Sequence, residues 1–251
     1  MGVEYGNEVL RDAEWAILHP LIEACRPRGK TPPQHLRRTV TAILWRHTNG
    51  AKWRAIPSEL GPWWMAAQTF IRWARLGVWE RLLDLAQQRG VALGMTVLDG
   101  TNIRAHAKAA GASKKGDLEH SGGTKACVIV DGGGPALGFA LAPGQARELP
   151  LAPVLLAILP EVPGWVVGGR GYASDAFRQR IWEPGARPAI PHKKTDAPVA
   201  CPAWIYNNRN LVERFWARIK EWRAIATRYE KTANFFTGVL CLAAALDWIK
   251  R

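Results

Sequence analysis

The spacing of hydrophobic residues changes at Gly94, and this change is the strongest constraint on the fold. Before it, apolar residues recur three or four positions apart, as in LRRTVTAILWRH, which predicts helices. After it, MTVLDG, TKACVIVDG and PALGFALAP are short apolar runs separated by Gly and Pro, which predicts strands. Further helices and strands alternate beyond them, over residues 149–159, GWVV, the segment from Ser174, and ARPAIP. We therefore predict helices over residues 1–90 and an α/β layer fold over 91–251.

The glycine-rich segment Gly132–Pro135 joins the second and third predicted strands. Three consecutive glycines can cradle a phosphate when a helix follows them, but no helix is predicted here. We therefore predict a hairpin turn at this position.

The charge balance indicates a polyanionic partner. Lys and Arg number 34 against 21 Asp and Glu, a net charge of +13 with a pI near 10.1. Such an excess favours nucleic acid, because neutralising phosphates releases condensed counterions. The four cysteines form no CxxC pair and the histidines show no zinc-ligand spacing, so a zinc site is not expected. The chain has no signal-peptide pattern and no apolar stretch of about 20 residues, which predicts a cytoplasmic protein with no membrane partner.

The helical segment carries arginines on its second well-defined helix. The first ends at Asn49-Gly50, and Pro62 opens the next. That helix has Ala66, Phe70 and Trp73 on one side, with Arg72 and Arg75 elsewhere. Two interpretations are open on these residues alone. The pair is a helix-turn-helix that reads the major groove, or it is a plain helical bundle with solvated arginines.

Asp99 follows the predicted strand Met95–Leu98 and precedes Gly100. A carboxylate at a strand end is a natural metal ligand. It is also a common turn residue, and the local sequence does not distinguish the two.

A polar stripe marks the segment YNNRNLVERFWARIKEW. On a continuous helix, four polar residues fall within a stripe about 60° wide: Tyr206, Arg209, Glu213 and Lys220. Four apolar residues fall on the opposite face: Leu211, Phe215, Ile219 and Trp222. A surface helix with one Arg–Glu pair, which is worth about 0.3 kcal/mol, explains the pair but not the stripe. The stripe therefore favours a functional face.

The spacing Y-x2-R-x3-E-x6-K resembles the signature of the IS4/IS5 insertion-sequence transposases. The segments DAEWAILHPLI, GAKWRAIPSELGPW and GVWERL resemble the helical head of IS5-type transposases. LDGTNIRAHAKAAG, VDGGGPALGFALAPGQ, GGRGYASDAF and LVERFWARIKEWRAIATRYEK resemble the catalytic part, in the same order. The resemblance therefore covers nearly the whole chain.

This resemblance implies an RNase H-like α/β catalytic core over 91–251 after an all-α, helix-turn-helix-like DNA-binding domain over 1–90. It also implies an enzyme that binds terminal inverted repeats, then cuts and rejoins double-stranded DNA as a homodimer on paired ends, associated with the nucleoid. Two divalent metal ions, Mg²⁺ with Mn²⁺ able to substitute, are held in such enzymes by Asp, Asp and Glu. Asp99 and Glu213 match two of these ligands, and Arg209 and Lys220 would clamp phosphates. The DNA contacts we expect are Tyr206, Arg209, Lys220, Arg170, Tyr172, Arg72, Arg75, Arg104 and Lys125.

The chain departs from the family pattern at Gly169. The pattern G-D-R-G-Y is replaced here by Gly168–Tyr172, GGRGY, so a glycine occupies the position of the second aspartate. Its loss should weaken metal binding to a single ion or none. Asp131, in the hairpin, and Asp175, at a helix start, are weak stand-ins. The alternative functions are an inactive or domesticated transposase that only binds DNA, and a basic interaction protein.

Overall fold

The structure is a computed structural model that describes residues 9–29, 34–110 and 123–251. The chain divides into two compact units. The helical unit contains the residues up to 86 together with 219–251, and the sheet unit contains 87–218.

The helices and strands predicted from the sequence occur in the predicted order, together with two short elements that were not predicted, a helix over Ala107–Ala110 and a strand over Thr227–Arg228. The helices are α1 (Asp12–Cys25), α2 (Leu36–Asn49), α3 (Trp63–Arg75), α4 (Val78–Gln87), α5 (Ala107–Ala110), α6 (Ala152–Leu156), α7 (Asp175–Trp182), α8 (Ala203–Tyr206), α9 (Asn210–Ile219), α10 (Arg223–Ala226) and α11 (Ala233–Ile249). The strands are β1 (Thr96–Ala105), β2 (Gly123–Asp131), β3 (Ala136–Pro143), β4 (Trp165–Gly168), β5 (Arg187–Ala189) and β6 (Thr227–Arg228). Short 3-10 turns occupy Trp53–Ala55, Ser58–Leu60, Leu149–Leu151, Arg170–Tyr172 and Asn207–Arg209.

Helix α11 is the centre of the helical unit. It is buried along most of its length and packs against α1 and α3. The Thr232 hydroxyl caps it by accepting from the backbone N–H of Phe235. Gly238 admits the Trp79 ring, because a Cβ at this position would lie 2.8 Å from that ring. The unit therefore closes around a helix that is apolar on nearly every side.

The predicted helix pair of this unit is confirmed. Gly50, at φ +60°, ends α2, as its lack of a side chain allows. Helix α3 buries Phe70 and Trp73 and exposes Arg72 and Arg75. Whether the pair reads DNA stays a prediction.

The C-terminal residues 219–251 pack with the N-terminal helices. The boundary drawn from sequence near residue 90 lies close to the structural one, but it grouped these residues with the sheet. The difference arises because α11 needs apolar cover on all sides, which the helices of this unit supply. The assignment of DNA binding to 1–90 and of catalysis to 91–251 stays a prediction.

The sheet unit has the strand order β3-β2-β1-β4-β5. Strands β1, β2 and β3 are antiparallel, while β4 and β5 run parallel to β1. Phe139 of β3 contacts Phe215 and Trp216 of α9, whereas a Cβ on the adjacent Gly138 would meet Ile158 just after α6. Because neighbouring strand residues point to opposite faces, α9 and the α6 segment cover the two faces. The architecture is α/β and RNase H-like, as predicted.

The hairpin prediction at Gly132–Pro135 is confirmed, since β2 ends and β3 begins on either side of it. The Asp131 carboxylate accepts backbone N–H groups from Ala92, Gly133 and Gly134. The Asp131 carboxylate is therefore occupied by hydrogen bonds that stabilise the turn.

Two sequence-based boundaries are wrong. Asp99 does not end a strand, because β1 continues to Ala105 through its pairing with β2. The predicted helix 206–223 ends early, at Ile219, and the extended backbone of Trp222 separates it from α10. Before that, a 3-10 turn joins α8 to α9, and Tyr206 and Asn210 on either side of it keep helical dihedral angles. The Asn208 side chain donates to the carbonyls of Trp204 and Ile205, and such side-chain bonds compete with helical ones.

Within residues 9–29, 34–110 and 123–251, none of the helices combines the length and hydrophobicity that a bilayer crossing requires.

Candidate active site

An open cleft of about 1050 Å³ lies in the sheet unit where β4 ends. Two carboxylates line it together with five basic side chains: Asp99, Glu148, Lys125, Arg147, Arg170, Lys193 and Arg209. Tyr206, Ala146 and the glycines Gly100, Gly169 and Gly171 complete the lining. A concave surface with excess positive charge attracts anions such as DNA phosphates.

Asp99 reaches this cleft because β4 stops one position short of it. Leu98 is the last β1 residue paired with β4, opposite Gly168. The Asp99 side chain is 17% exposed, and its Oδ1 lies 3.3 Å from Arg209 Nη2. Burial raises the pKa of the Asp99 carboxyl, and the Arg209 charge offsets this only in part. Asp99 is therefore a carboxylate with little hydration, and a cation beside it stabilises its charged form.

Arg209 holds two of the predicted site residues together. Its Nη2 contacts Asp99, and its Nη1 lies 3.3 Å from Oε1 of Glu213, which is 57% exposed. Burial lowers the pKa of Arg209, but the two carboxylates outweigh this and raise it. Asp99 and Glu213, 114 positions apart, are therefore separated by one guanidinium group.

Gly169 leaves an open side-chain position beside this guanidinium. Its backbone, at φ −73° and ψ 176°, is extended and available to any residue. A Cβ built here would lie 3.5 Å from Arg209 Nε, an ordinary contact. That buried Nε has no hydrogen-bond partner among the residues that the structure describes. A donor is thus aimed at the position from which the family's second aspartate would extend.

Glu148 is the site residue that sequence reasoning missed. Its Oε1 accepts from Lys125 Nζ at 3.2 Å, and its side chain is 22% exposed. It belongs to none of the motifs that carried the resemblance. The available signal was weak, namely that it is the one acidic residue between Gly132 and Pro160.

The other predicted DNA contacts of this unit have different surroundings. Arg170 and Tyr206 line the cleft, and Arg104 is exposed on β1. Lys125 lines it with a side chain only 13% exposed. The Tyr172 ring is buried at 1% exposure, so we leave Tyr172 out of the proposed DNA contacts.

Three predicted contacts belong to the helical unit. Arg72 lines a groove with Arg26, Thr39, Gln68 and Thr69. The Arg75 guanidinium lies 5.8 Å from the centroid of the Phe235 ring. Lys220 follows the end of α9, so the continuous-helix argument that aligned it with Tyr206 does not hold.

In the part of the chain that the structure describes, no three His, Cys, Asp or Glu side chains are arranged to hold a metal ion. Asp175 is no substitute, because its side chain is 97% exposed and pairs with Arg178.

An RNase H-like sheet with carboxylates in a basic cleft defines the DDE class of DNA-processing proteins. Family profiles agree. "Putative transposase of IS4/5 family" matches residues 10–83, and two profiles described as "Transposase DDE domain" match 93–199 and 166–250. The chain belongs to the IS4/IS5 family of DDE transposases. DDE domains are those of metal-dependent DNA nucleases and strand transferases, and they generally use divalent ions.

Individual relatives support this assignment. The chain is 33% identical over 129 residues to "Putative transposase for insertion sequence element IS6501" of Brucella ovis, covering 51% of this chain and 98% of that protein. It is 30% identical over 105 residues to "Uncharacterized protein y4sN" of Sinorhizobium fredii, covering 42% and 83%. The solved structure titled "Crystal structure of a pre-cleavage Mos1 transpososome" is 12% identical, with a TM-score of 0.28 over 89% of this chain and 80% of that one. That likeness is too slight to support a conclusion.

Proposed function

We propose that this protein binds the terminal inverted repeats of an insertion element and that the cleft beside Asp99 is where it cuts and rejoins DNA. Family membership supports the reaction class, and the basic lining supports a DNA substrate. Arg170, Lys193 and Arg147 would contact backbone phosphates, because they line the cleft and are exposed.

The donor set fits a divalent cation. Asp99 and Glu213 offer the carboxylate oxygens that Mg²⁺ and Mn²⁺ prefer, and burial leaves Asp99 in need of a cation. A bound divalent ion would stabilise the attacking and leaving oxygens of a phosphodiester. Arg209 has a second role, since its contact with both carboxylates aligns them and it can also donate to a phosphate.

The single observation that carries the proposal is the Arg209 Nε aimed at Gly169. A Cβ at 169 would meet no heavy atom within 4 Å other than those of its chain neighbours and of the Arg209 guanidinium. An aspartate there can accept from Nε and add a carboxylate beside Asp99 without strain. The cleft is therefore a DDE site that lacks one side chain, and its backbone needs no remodelling.

Arg72 and Arg75 on α3 would bind the repeat in the major groove, with two copies of the chain on paired ends. Such a protein would act on the nucleoid in the cytoplasm. Lys220 and Arg104 would add phosphate contacts.

The second candidate is a catalytically silent relative that only binds DNA. Arg209 lies between Asp99 and Glu213, and its positive charge neutralises carboxylates that would otherwise bind a metal ion. This observation favours a site that has lost its metal together with its aspartate.

The test is Gly169→Asp. We expect it to raise Mg²⁺-dependent nicking of a labelled terminal-repeat duplex by about 100-fold or more, because a completed metal site contributes several kcal/mol to transition-state stabilisation. Gly94→Asp is the matched control, since a Cβ there also has room and meets nothing within 4 Å. It adds the same charge to the sheet unit and should leave nicking unchanged.

The result separates the two candidates. A Gly169→Asp protein that binds its repeat yet cuts no faster, with Mg²⁺ or with Mn²⁺, contradicts the proposal and favours the silent relative. Equal stimulation by Gly94→Asp would also contradict it.

A further inference from the structure

A groove of about 300 Å³ lies in the helical unit between α3, α2 and the residues that follow α1. Hydrogen-bond donors from all three segments line it: Arg26 after α1, Thr39 on α2, and Gln68, Thr69 and Arg72 on α3. None of the described residues that line it is acidic. A concave surface with guanidinium, amide and hydroxyl donors and without carboxylates favours an anion.

The two arginines of this groove differ in their partners. Arg26 donates from Nε and Nη2 to the Glu23 carboxylate at 2.8 and 2.7 Å, so its charge is already neutralised. Arg72 is exposed, and none of the ion pairs between described residues includes its guanidinium. Arg72 therefore supplies the positive charge that an anion in the groove would meet.

Apolar side chains form the rest of the surface. Leu36 and Trp73 are buried beneath the groove, whereas Met65 is 42% exposed beside it. A free phosphate ion would use only the donors. A deoxyribose ring also presents carbon atoms, which can pack on an exposed apolar side chain such as Met65. The lining therefore matches a sugar–phosphate unit better than a free anion.

We propose that this groove binds one sugar–phosphate unit of the DNA backbone, with Arg72 and Thr39 donating to the phosphate oxygens and Met65 contacting the sugar. The proposal rests on the proposed function in taking DNA as the ligand of the helical unit. It adds that Arg72 positions the duplex through its backbone, at the edge of the major groove, and does not read base edges.

The shape of the groove supports a backbone contact. Phosphates form the outward ridges of duplex DNA, whereas base edges lie at the floor of a major groove about 8.5 Å deep. A protruding element reaches that floor, and a concave surface fits a ridge. Because Arg72 lines a concave surface together with Thr39 of the neighbouring helix, it meets a phosphate. Such contacts fix the position of a protein on the duplex without reading its sequence.

The experiment measures binding of the full chain to a fluorescent terminal-repeat duplex in which single phosphates are replaced by uncharged methylphosphonates. We expect one position in each repeat at which this replacement weakens binding of the unmutated protein about tenfold. Arg72→Gln should weaken binding to the unmodified duplex by a similar factor. It should also be insensitive to the replacement at that position, because both changes remove the same contact, whereas the effects at distant phosphates should add.

Further variants separate charge, geometry and fold. Arg72→Gln should lower the salt slope by about one, while Arg72→Lys keeps the slope and recovers part of the affinity, because it keeps the charge but not the planar fork. Thr39→Val removes a hydroxyl donor and should weaken binding severalfold, at the same phosphate. Thr48→Val is the matched control, since Thr48 is a half-buried threonine near the end of the same helix. Circular dichroism checks that each variant is folded.

Three outcomes would overturn the inference. Arg72→Gln stays as sensitive as the unmutated protein to every methylphosphonate, its loss of affinity depends on the base sequence of the duplex, or its affinity is unchanged. Displacement of the duplex by millimolar inorganic phosphate at constant ionic strength would assign the groove to a free anion instead. The proposed function fails by different measurements, namely equal affinity of the unmutated chain for repeat and random DNA, or an inert Gly169→Asp protein.

Discussion

The helical unit and the sheet unit differ in how far the acidic side chains of their ion pairs are exposed to solvent. In the helical unit, Arg46 and Glu230 form an ion pair with side chains only 7% and 10% exposed, and His47 beside them is fully buried. In the sheet unit, Asp99, Glu148 and Glu213 are 17%, 22% and 57% exposed, and their basic partners line an open cleft.

This difference indicates which unit's charges can be exchanged. A buried ion pair is committed, because removing one partner leaves an unpaired charge in a medium of low dielectric. A partly exposed pair contributes little to stability and can give up its partner to a phosphate or a cation. The Arg46–Glu230 pair of the helical unit therefore serves packing, whereas the ion pairs of the sheet-unit cleft keep charge available for binding.

The sharpest test of this comparison is a pair of matched substitutions. Glu230→Gln should lower the free energy of unfolding by about 3–5 kcal/mol, because it leaves the Arg46 charge buried without its counter-ion. Glu213→Gln removes the same charge from a pair whose side chains are 33% and 57% exposed, and it should cost less than about 1 kcal/mol. Urea unfolding of both variants measures the two changes. Similar losses in both would show that the cleft is as closed as the helical unit.

A second prediction concerns Arg72 and Arg75, the exposed cations of α3 that we propose bind DNA. Reversing Arg72 and Arg75 together to Glu should weaken binding to a terminal-repeat duplex by about 10- to 100-fold and reduce the salt dependence, because phosphate contacts are lost. The matched control reverses Arg180 and Arg187, which are exposed in the sheet unit.

Fluorescence anisotropy across a salt series gives both affinity and slope. If the control pair lost as much affinity for the duplex, the result would argue against specific DNA binding by α3. Equal affinity for repeat and random DNA at physiological salt would contradict specific recognition.

The smallest effect concerns pH. Burial lowers the pKa of His47 well below 6.5, and the Arg46 charge lowers it further. Just below pH 6.5, His47 is protonated in the unfolded chain but stays neutral in the folded chain. The stability that neutral His47 contributes above about pH 6.5 is therefore lost as the pH falls. The loss is at most about 1.4 kcal/mol per pH unit.

His47→Gln should flatten the fall in the free energy of unfolding below pH 6.5, since Gln can still accept from Arg46 and does not titrate. His19→Gln is the control, because His19 is an exposed histidine of α1. An unchanged slope in His47→Gln would mean that another group governs the acid response.

The sequence by itself determined the family, the class of fold and the places where helices and strands occur. Hydrophobic periodicity is local, so the buried faces of α2 and α3 and the hairpin at Gly132–Pro135 could be predicted from neighbouring residues. The replacement at Gly169 was equally visible, because it falls inside a local motif. What periodicity could not predict was where this helix ends, because the apolar spacing continues to Trp222 although the helix stops at Ile219 and the Trp222 backbone is extended.

Only the tertiary structure decided which charges meet. Glu148 reaches the cleft because two glycines far apart in sequence, Gly100 and Gly171, leave room for its carboxylate, and no local pattern encodes such a contact. The same holds for Arg209, whose Nε faces Gly169 across 40 positions, and for α11, which found its apolar cover among the N-terminal helices. Contacts of this kind join residues that are far apart in sequence. They form only when the whole chain packs, so no local sequence pattern predicts them.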